Sequence, residues 1–456
     1  MKNFFNNYFS SVDIHFSRFI ASFTQQNKED LSLAAALVSR YVRDGHICLD
    51  LNDIAGKIIF KSEDGKNIIE CPQLKVWLAS LKSASCVGEP DNFKPLILDE
   101  KARLYLQRYW QYEKDVAEYV SASISKTNEI KLDKVKLQKK LTLYFDESSK
   151  QKINWQKVAA IAALSKKFLV ISGSPGTGKT TAITKIMALI LDIGNRSLRI
   201  ALVAPTGKAA ARLQESVKKT KEKINCIAAI KEMIPNEAQT IHRLLGSISN
   251  SPYFQFNKKN PLPYDLVVID EASMVDLSLL AKLIAALPPE ASLILLGDKD
   301  QLASVEVGAV LGDICGQGAP DIFSPEFARK IAFLSGEEIE SGNVPAGIQD
   351  NIIYLQKNYR FSDQSDIGLL SQTIKNGQYQ EAAELLRSEK YADIHWTELA
   401  EGEKLFKHFG EIVIERYQEY LKAAIPVTVF RIISLIYSKN SVFYAPCAWG
   451  FGVRKE

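Results

Sequence analysis

Four short apolar runs punctuate the middle of the chain, at 168–171, 199–204, 266–269 and 293–296. Each is rich in Val, Ile, Leu or Ala and lacks the strict alternation of a strand with one wet face. Each therefore reads as a parallel strand buried on both sides. The segments between them have helical spacing of apolar residues, beginning with 181–191. Strands thus alternate with helices from about 154 to 314, the pattern of a parallel sheet flanked by helices. Upstream, 31–42 predicts an amphipathic helix and 45–51 alternates like a half-buried strand. Residues 102–110 are aromatic and basic, which suits either an amphipathic core element or a nucleic-acid contact. The lysine-rich, apolar-poor stretch 126–152 predicts a linker, and 317–350, rich in Gly, Pro and Glu, a surface insertion or second linker. The expected organisation is an α/β chain: a smaller mixed N-terminal domain (1–125), the linker (126–152), a parallel-sheet domain (153–350) and a partial further domain (351–456).

Composition adds bounds. A chain of 456 residues has room for about two or three cores. Its net charge of +4 is too mild to argue for nucleic acid by itself, so any such contact must come from local patches. The six cysteines form no C-x-x-C pair, which excludes a zinc ribbon and fits free thiols in a reducing compartment. The N-terminus lacks the apolar core of a signal peptide, and no run approaches the ~18 apolar residues of a membrane helix. The expectation is a soluble cytoplasmic protein with no membrane partner.

Chemistry enters directly after the first apolar run. Gly173, Ser174, Pro175, Gly176, Thr177, Gly178, Lys179 and Thr180 spell G-x-x-x-x-G-K-[ST], followed by Thr181. Between a strand and a helix, such a loop wraps backbone N–H groups around phosphate oxygens, with Lys179 reaching the phosphates and the Thr180 hydroxyl reaching Mg²⁺. The run at 266–269 ends in Asp270 and Glu271, one acid suited to Mg²⁺ and the other to deprotonating water. Gln301 follows the run at 293–296, with both donor and acceptor groups for a γ-phosphate. Thr206 and Lys208 follow the run at 199–204 and suit a nucleic-acid phosphate. His242 is either a packed or surface residue or a DNA contact. Gln156 can read an adenine edge, and Arg360 can supply positive charge to a transferring phosphoryl group.

Taken in order, Gln156 and segments 173–181, 204–213, 240–246, 269–273, 297–307 and 355–361 resemble the motifs of superfamily-one helicases. Longer strings are more specific. Ile153-Asn-Trp-Gln-Lys-Val-Ala-Ala160, Ala204-Pro-Thr-Gly-Lys-Ala-Ala-Ala-Arg-Leu213, Asp270-Glu-Ala-Ser-Met274 and Gly297-Asp-Lys-Asp-Gln-Leu-Ala-Ser-Val305 resemble the RecD family, the alpha subunits of exodeoxyribonuclease V. The resemblance covers roughly residues 1–430. It implies a RecA-like ATPase sheet and an ATP-dependent 5′→3′ DNA helicase that acts with RecB and RecC in double-strand-break repair. It also implies an N-terminal domain that docks on RecC. Lys179, Glu271, Gln301 and Arg360 would be catalytic, residues 173–181 and Gln156 would hold ATP, and Thr180 and Asp270 would hold Mg²⁺. Thr206, Lys208 and His242 would face single-stranded DNA.

The C-terminal end departs from the family pattern. The family's V-H-K-[ST]-Q-G string and its late arginine motif do not occur. Residues 440–456 read poorly as a helix, which predicts a frameshift shortly before Asn440, the alternative being a divergent C-terminus. The second motor domain is therefore expected to be incomplete. The competing function is a truncated remnant that binds ATP, and RecC with it, without translocating.

Overall fold

The computed structural model describes residues 8–24, 27–61, 68–124, 126, 133–145, 153–194, 198–301, 307–308, 310–316, 322–359, 365–388, 390–391, 394, 409–411 and 414. The expected tail at 440–456 and Arg360 lie outside them. The chain divides into two compact units, Met1–Phe361 and Ser362–Glu456.

The N-terminal part of the first unit is a lobe built on six short strands: β1 (Cys48–Asp50), β2 (Ile58–Lys61), β3 (Ile68–Glu70), β4 (Val87–Gly88), β5 (Leu96–Leu98) and β6 (Arg103–Leu106). β1, β6, β5 and β4 form a mixed sheet in that order, and β2 pairs with β3 alone. The Lys28–Arg43 helix buries Leu31, Ala34, Ala35, Leu37 and Val38 against Leu49, Trp77, Leu81 and Leu104. Glu29 and Asp30 in its first turn and Arg40 and Arg43 in its last complement the helix dipole.

The larger sheet takes β7 (Phe168–Ser172), β8 (Ile200–Ala204), β9 (Gln239–Thr240), β10 (Leu266–Ile269), β11 (Ser292–Gly297) and β12 (Ile352–Tyr354). Their order is β12-β7-β11-β10-β8-β9, and every pairing is parallel. Alternate residues of each strand point to opposite faces. Leu169, Ile171, Leu202, Val268 and Ile294 lie in one core with the Trp155–Ser165 and Lys179–Gly194 helices. Phe168, Val170, Val203, Val267 and Leu295 lie in the other, under the Leu277–Ala286 helix. Two covered faces explain why these strands carry unbroken apolar runs.

Two stretches and the boundary at 350 differ from the sequence expectation, whereas 102–110 takes the core role of its two expected ones, with Leu104 and Tyr105 buried. Residues 134–145, expected within a linker, form the Lys134–Phe145 helix, which buries Leu137, Leu141, Tyr144 and Phe145 against the sheet. Lys134 lies over the Phe333 ring and Lys140 pairs with Asp192, so a lysine-rich composition hid a packed helix. Within 317–350, the Pro325–Ser335 helix buries Phe327, Ile331 and Leu334 in the same core. The sheet also continues past 350, since β12 pairs with β7. At 102–110, β6 ends at Leu106 and the Gln107–Ile124 helix follows at once. That helix leaves the N-terminal lobe and packs on the Leu277–Ala286 helix, with Val116 in the sheet's core and Tyr119 edge-on to Phe168 at 6.2 Å. The lobe and the sheet are thereby one packed body.

In the second unit, the Asp366–Lys375 helix, capped by Ser365, packs on the Tyr379–Arg387 helix. Among the described residues, no helix is long and apolar enough to cross a membrane.

Where the Gln107–Ile124 helix leaves the lobe, the Tyr105 hydroxyl, Trp110 Nε1 and the Glu113 carboxyl are buried near one another. Burial pushes the Glu113 carboxyl up, and Asp313 and Asp99 add to this against the pull of Arg103 and of the Tyr105 hydroxyl. An acid raised in the folded state holds its proton more tightly there than in the unfolded chain. Its stabilising contribution is full below the unfolded value and is lost as pH rises through the folded one. Glu113→Gln is therefore expected to raise the thermal unfolding midpoint at about pH 8, with the gain shrinking on acidification. Equal midpoints for variant and parent across that range would rule this out.

Candidate functional site

β7 runs straight into the glycine-rich loop. In register, its last residue, Ser172, lies beside Gly297 at the end of β11, and the Gly173 N–H donates to the Gly297 carbonyl at 3.2 Å. The Thr177 hydroxyl closes the loop on the Ser174 carbonyl at 2.8 Å. Gly178 then turns the chain into the Lys179–Gly194 helix with φ of +76°, a conformation that favours glycine. The first helical bond runs from the Ala182 N–H to the Gly178 carbonyl. The N–H groups before it have no intrahelical acceptor and carry the positive end of the helix dipole.

Lys179 lies folded along this loop, its ammonium donating to the Gly173 carbonyl at 2.5 Å and the Ser174 carbonyl at 3.3 Å. Burial pulls its pKa down, opposed by the charges of Asp298, Glu271 and Asp270. Asp270, 8% exposed at the end of β10, is pushed up to about 6 by burial and by Glu271 beside it. Lys179 and the hydrogen-bonding Thr180 hydroxyl counter this only in part. Glu271 sits in left-handed backbone, φ 54° and ψ 43°, a strained state for a non-glycine residue.

Asp298 follows β11 and is 5% exposed. Its carboxylate accepts the Asp300 N–H, and the Lys299 N–H donates to the Ser172 hydroxyl, tying this turn to β7. Gln301 is held there by its N–H to the Asp298 carbonyl at 3.2 Å, with its side chain exposed. The segment after β12 lies over the loop: the Tyr359 N–H donates to the Gly176 carbonyl at 2.8 Å and Asn358 Nδ2 to the Pro175 carbonyl at 3.2 Å. Gln156 reaches the Tyr359 hydroxyl through Nε2 at 3.5 Å.

Lys179, Thr180, Asp270 and Glu271 are thus brought together, with Gln156 beside the loop and Gln301 on a neighbouring turn. Thr206 and His242 each stand two residues past the paired strand ends Ala204 and Thr240. The Thr206 hydroxyl caps the Gly207–Lys223 helix, Lys208 is exposed, and the exposed His242 ring lies 5.7 Å from Phe254. These three share the strand-end edge of the sheet. Two participants carried no expected role. Asp298 is the first-ranked charge on Lys179, and Tyr359 covers the loop. The G-D turn was visible in the sequence, but nothing local distinguishes a buried aspartate from a surface one.

Free N–H groups and an ammonium suit a polyphosphate. A hydroxyl hydrogen-bonded to a buried, under-compensated acid suits a divalent cation. Among the described residues, no three His, Cys, Asp or Glu side chains are grouped to hold a metal ion.

Comparison with known proteins agrees with this geometry. Residues 156–307 match the AAA domain model, which implies nucleotide binding, generally with a divalent metal. Residues 6–105 match the model for the N-terminal domain of RecBCD enzyme subunit RecD. RecBCD enzyme subunit RecD of Haemophilus influenzae is 38% identical over 324 residues, covering 70% of this chain and 50% of that protein. The Mycolicibacterium smegmatis subunit is 36% identical over 347 residues, covering 74% and 59%, and the Buchnera aphidicola subunit from Acyrthosiphon pisum is 32% identical over 372 residues, covering 80% and 60%. Over these residues the chain belongs to the RecD family. It spans between 50% and 60% of the length of these RecD relatives.

The RecD-family site leaves no spare room at Gly297. A Cβ there would lie 2.4 Å from Leu311 Cδ2 and 3.2 Å from the Ser273 backbone nitrogen. Gly297→Ala is expected to cost about 1–3 kcal/mol, as overpacking of a filled interior does. Chemical denaturation of the two proteins checks this, and an unchanged midpoint would contradict it.

Proposed function

We propose that this chain is the ATP-hydrolysing part of a 5′→3′ DNA helicase subunit that acts with RecB and RecC at double-strand DNA ends. The observation that carries the reading is the meeting of Lys179, Thr180, Asp270 and Glu271 at one edge of the parallel sheet, past the ends of β7 and β10 on either side of β11. The RecD N-terminal domain match in the same chain supports the partners, and the RecBCD enzyme-subunit names of its relatives support a role in that complex.

Lys179 leaves the Gly173 and Ser174 carbonyls and binds the β- and γ-phosphates of ATP, while the N–H groups of 176–181 surround them. Thr180 and Asp270 would hold Mg²⁺, which neutralises charge between the β- and γ-phosphates. Glu271 accepts a proton from the attacking water, its carboxylate aimed by the left-handed turn. Gln301 contacts the γ-phosphate and shifts its contacts when that group leaves, and Arg360 adds positive charge to the transferring group. Gln156 reads the adenine edge. Thr206, Lys208 and His242 lie toward single-stranded DNA, so the strand-end edge links hydrolysis to the track.

The purified chain is expected to bind a fluorescent ATP analogue with Mg²⁺ and to hydrolyse ATP faster when single-stranded DNA is added. Lys179→Ala is expected to lower turnover by about a hundredfold or more. Failure of the folded chain to bind the analogue would overturn the reading. Binding without DNA-stimulated turnover would favour a subunit that holds ATP without translocating.

A further inference from the structure

The short Val310–Cys315 helix lies against both turns that carry the acids. Leu311, 3% exposed, packs directly on Gly297, the residue before Asp298. The same helix packs on the Ala272–Met274 turn, which begins one residue after Glu271. Its last residue, Cys315, reaches the Tyr354 hydroxyl on β12.

Residues just before this helix meet both the N-terminal lobe and the Leu277–Ala286 helix. The Gly308 N–H donates to the Gly45 carbonyl at 3.3 Å, and the Val307 carbonyl accepts the Leu277 N–H at 3.2 Å. Gly308 has φ of +101°, and a Cβ on it would lie 3.0 Å from Leu277 Cβ and 3.4 Å from Ile47 Cδ1. Further along, Asp313 lies near enough to Glu113, on the helix leaving the lobe, for its charge to act on that carboxyl. Contacts therefore run from Gly45 and Ile47 to Gly308, and from Glu113 through the Val310–Cys315 helix to Gly297 and the turn after Glu271. Close-packed interiors move as bodies rather than yielding atom by atom.

We propose that the Val310–Cys315 helix is a strut through which the N-terminal lobe sets the positions of Glu271 and of the 298–301 turn. Ile47, Gly308 and Leu311 are its positioning residues. The consequence for turnover rests on the nucleotide reading above: a partner that grips the lobe changes hydrolysis, and nucleotide changes the lobe by the same coupling.

Amide hydrogen exchange on the full chain tests the strut with and without nucleotide. In nucleotide-free protein, Leu311→Ala is expected to speed exchange several-fold at 271–274, 297–301 and 45–50, whereas the volume-conserving Leu311→Met leaves all three near the parent. Leu213→Ala, which opens a comparable cavity on the opposite face of the sheet, is expected to leave 45–50 unchanged. With Mg²⁺ and a non-hydrolysable ATP analogue, the parent is expected to slow exchange at 45–50. Leu311→Ala is expected to bind the analogue within about threefold of the parent yet lose that slowing. Loosening confined to 310–315, or bound analogue with no change at 45–50 in the parent, would overturn the strut. An analogue that does not bind overturns the nucleotide reading instead, and the nucleotide-free comparison still decides the strut.

Discussion

The parallel pairing of β7 with β11 is the constraint on which the rest of the site depends. It sets Ser172 against Gly297, so the phosphate-binding loop and the 298–301 turn leave the sheet side by side. The neighbouring pairing of β11 with β10 brings Asp270 to the same edge. A register slip of one residue would turn each strand's apolar set to the wrong face, so two covered faces lock that register. The site's precision is inherited from core packing rather than from its own polar contacts.

Those polar contacts are poised rather than satisfied. Lys179 is neutralised by loop carbonyls and by three carboxylates, while Asp270 is held up at about 6 because burial and Glu271 outweigh Lys179 and Thr180. Such charge concentrated at one sheet edge costs stability in the absence of a ligand. It is the arrangement expected of a surface that completes itself by binding phosphate and a cation. The strained backbone of Glu271 belongs to the same economy, since its conformation is maintained by the Asp270 carboxylate accepting its N–H and by the turn that follows.

The N-terminal lobe is not a detached appendage. The Gln107–Ile124 helix spans from its sheet to the core of the larger sheet, and Gly45 and Ile47 meet the segment leading into the Val310–Cys315 helix. A family whose members work as one subunit among several gains from such a connection, because engagement of the lobe can reach the acids through packed atoms alone.

Much of this was legible from residue order. The apolar runs at 168–171, 266–269 and 293–296 match β7, β10 and β11 to within a residue at either end, since strands buried on both faces need unbroken apolar sequence. The loop at 173–180 declared its anion-binding geometry through glycines and a lysine whose roles are local. Lysine-rich 134–145 hid its helix, because four buried residues at helical spacing are invisible to overall composition. The sequence by itself therefore determined the central apolar strands, the glycine-rich turn between strand and helix, and the family. Only the tertiary structure decided strand order, the burial of Asp298, the placing of Tyr359 over the loop and the seating of Leu311 on Gly297. Each of those joins residues far apart in the chain, and such contacts are selected by the packing of whole faces, which no local pattern encodes.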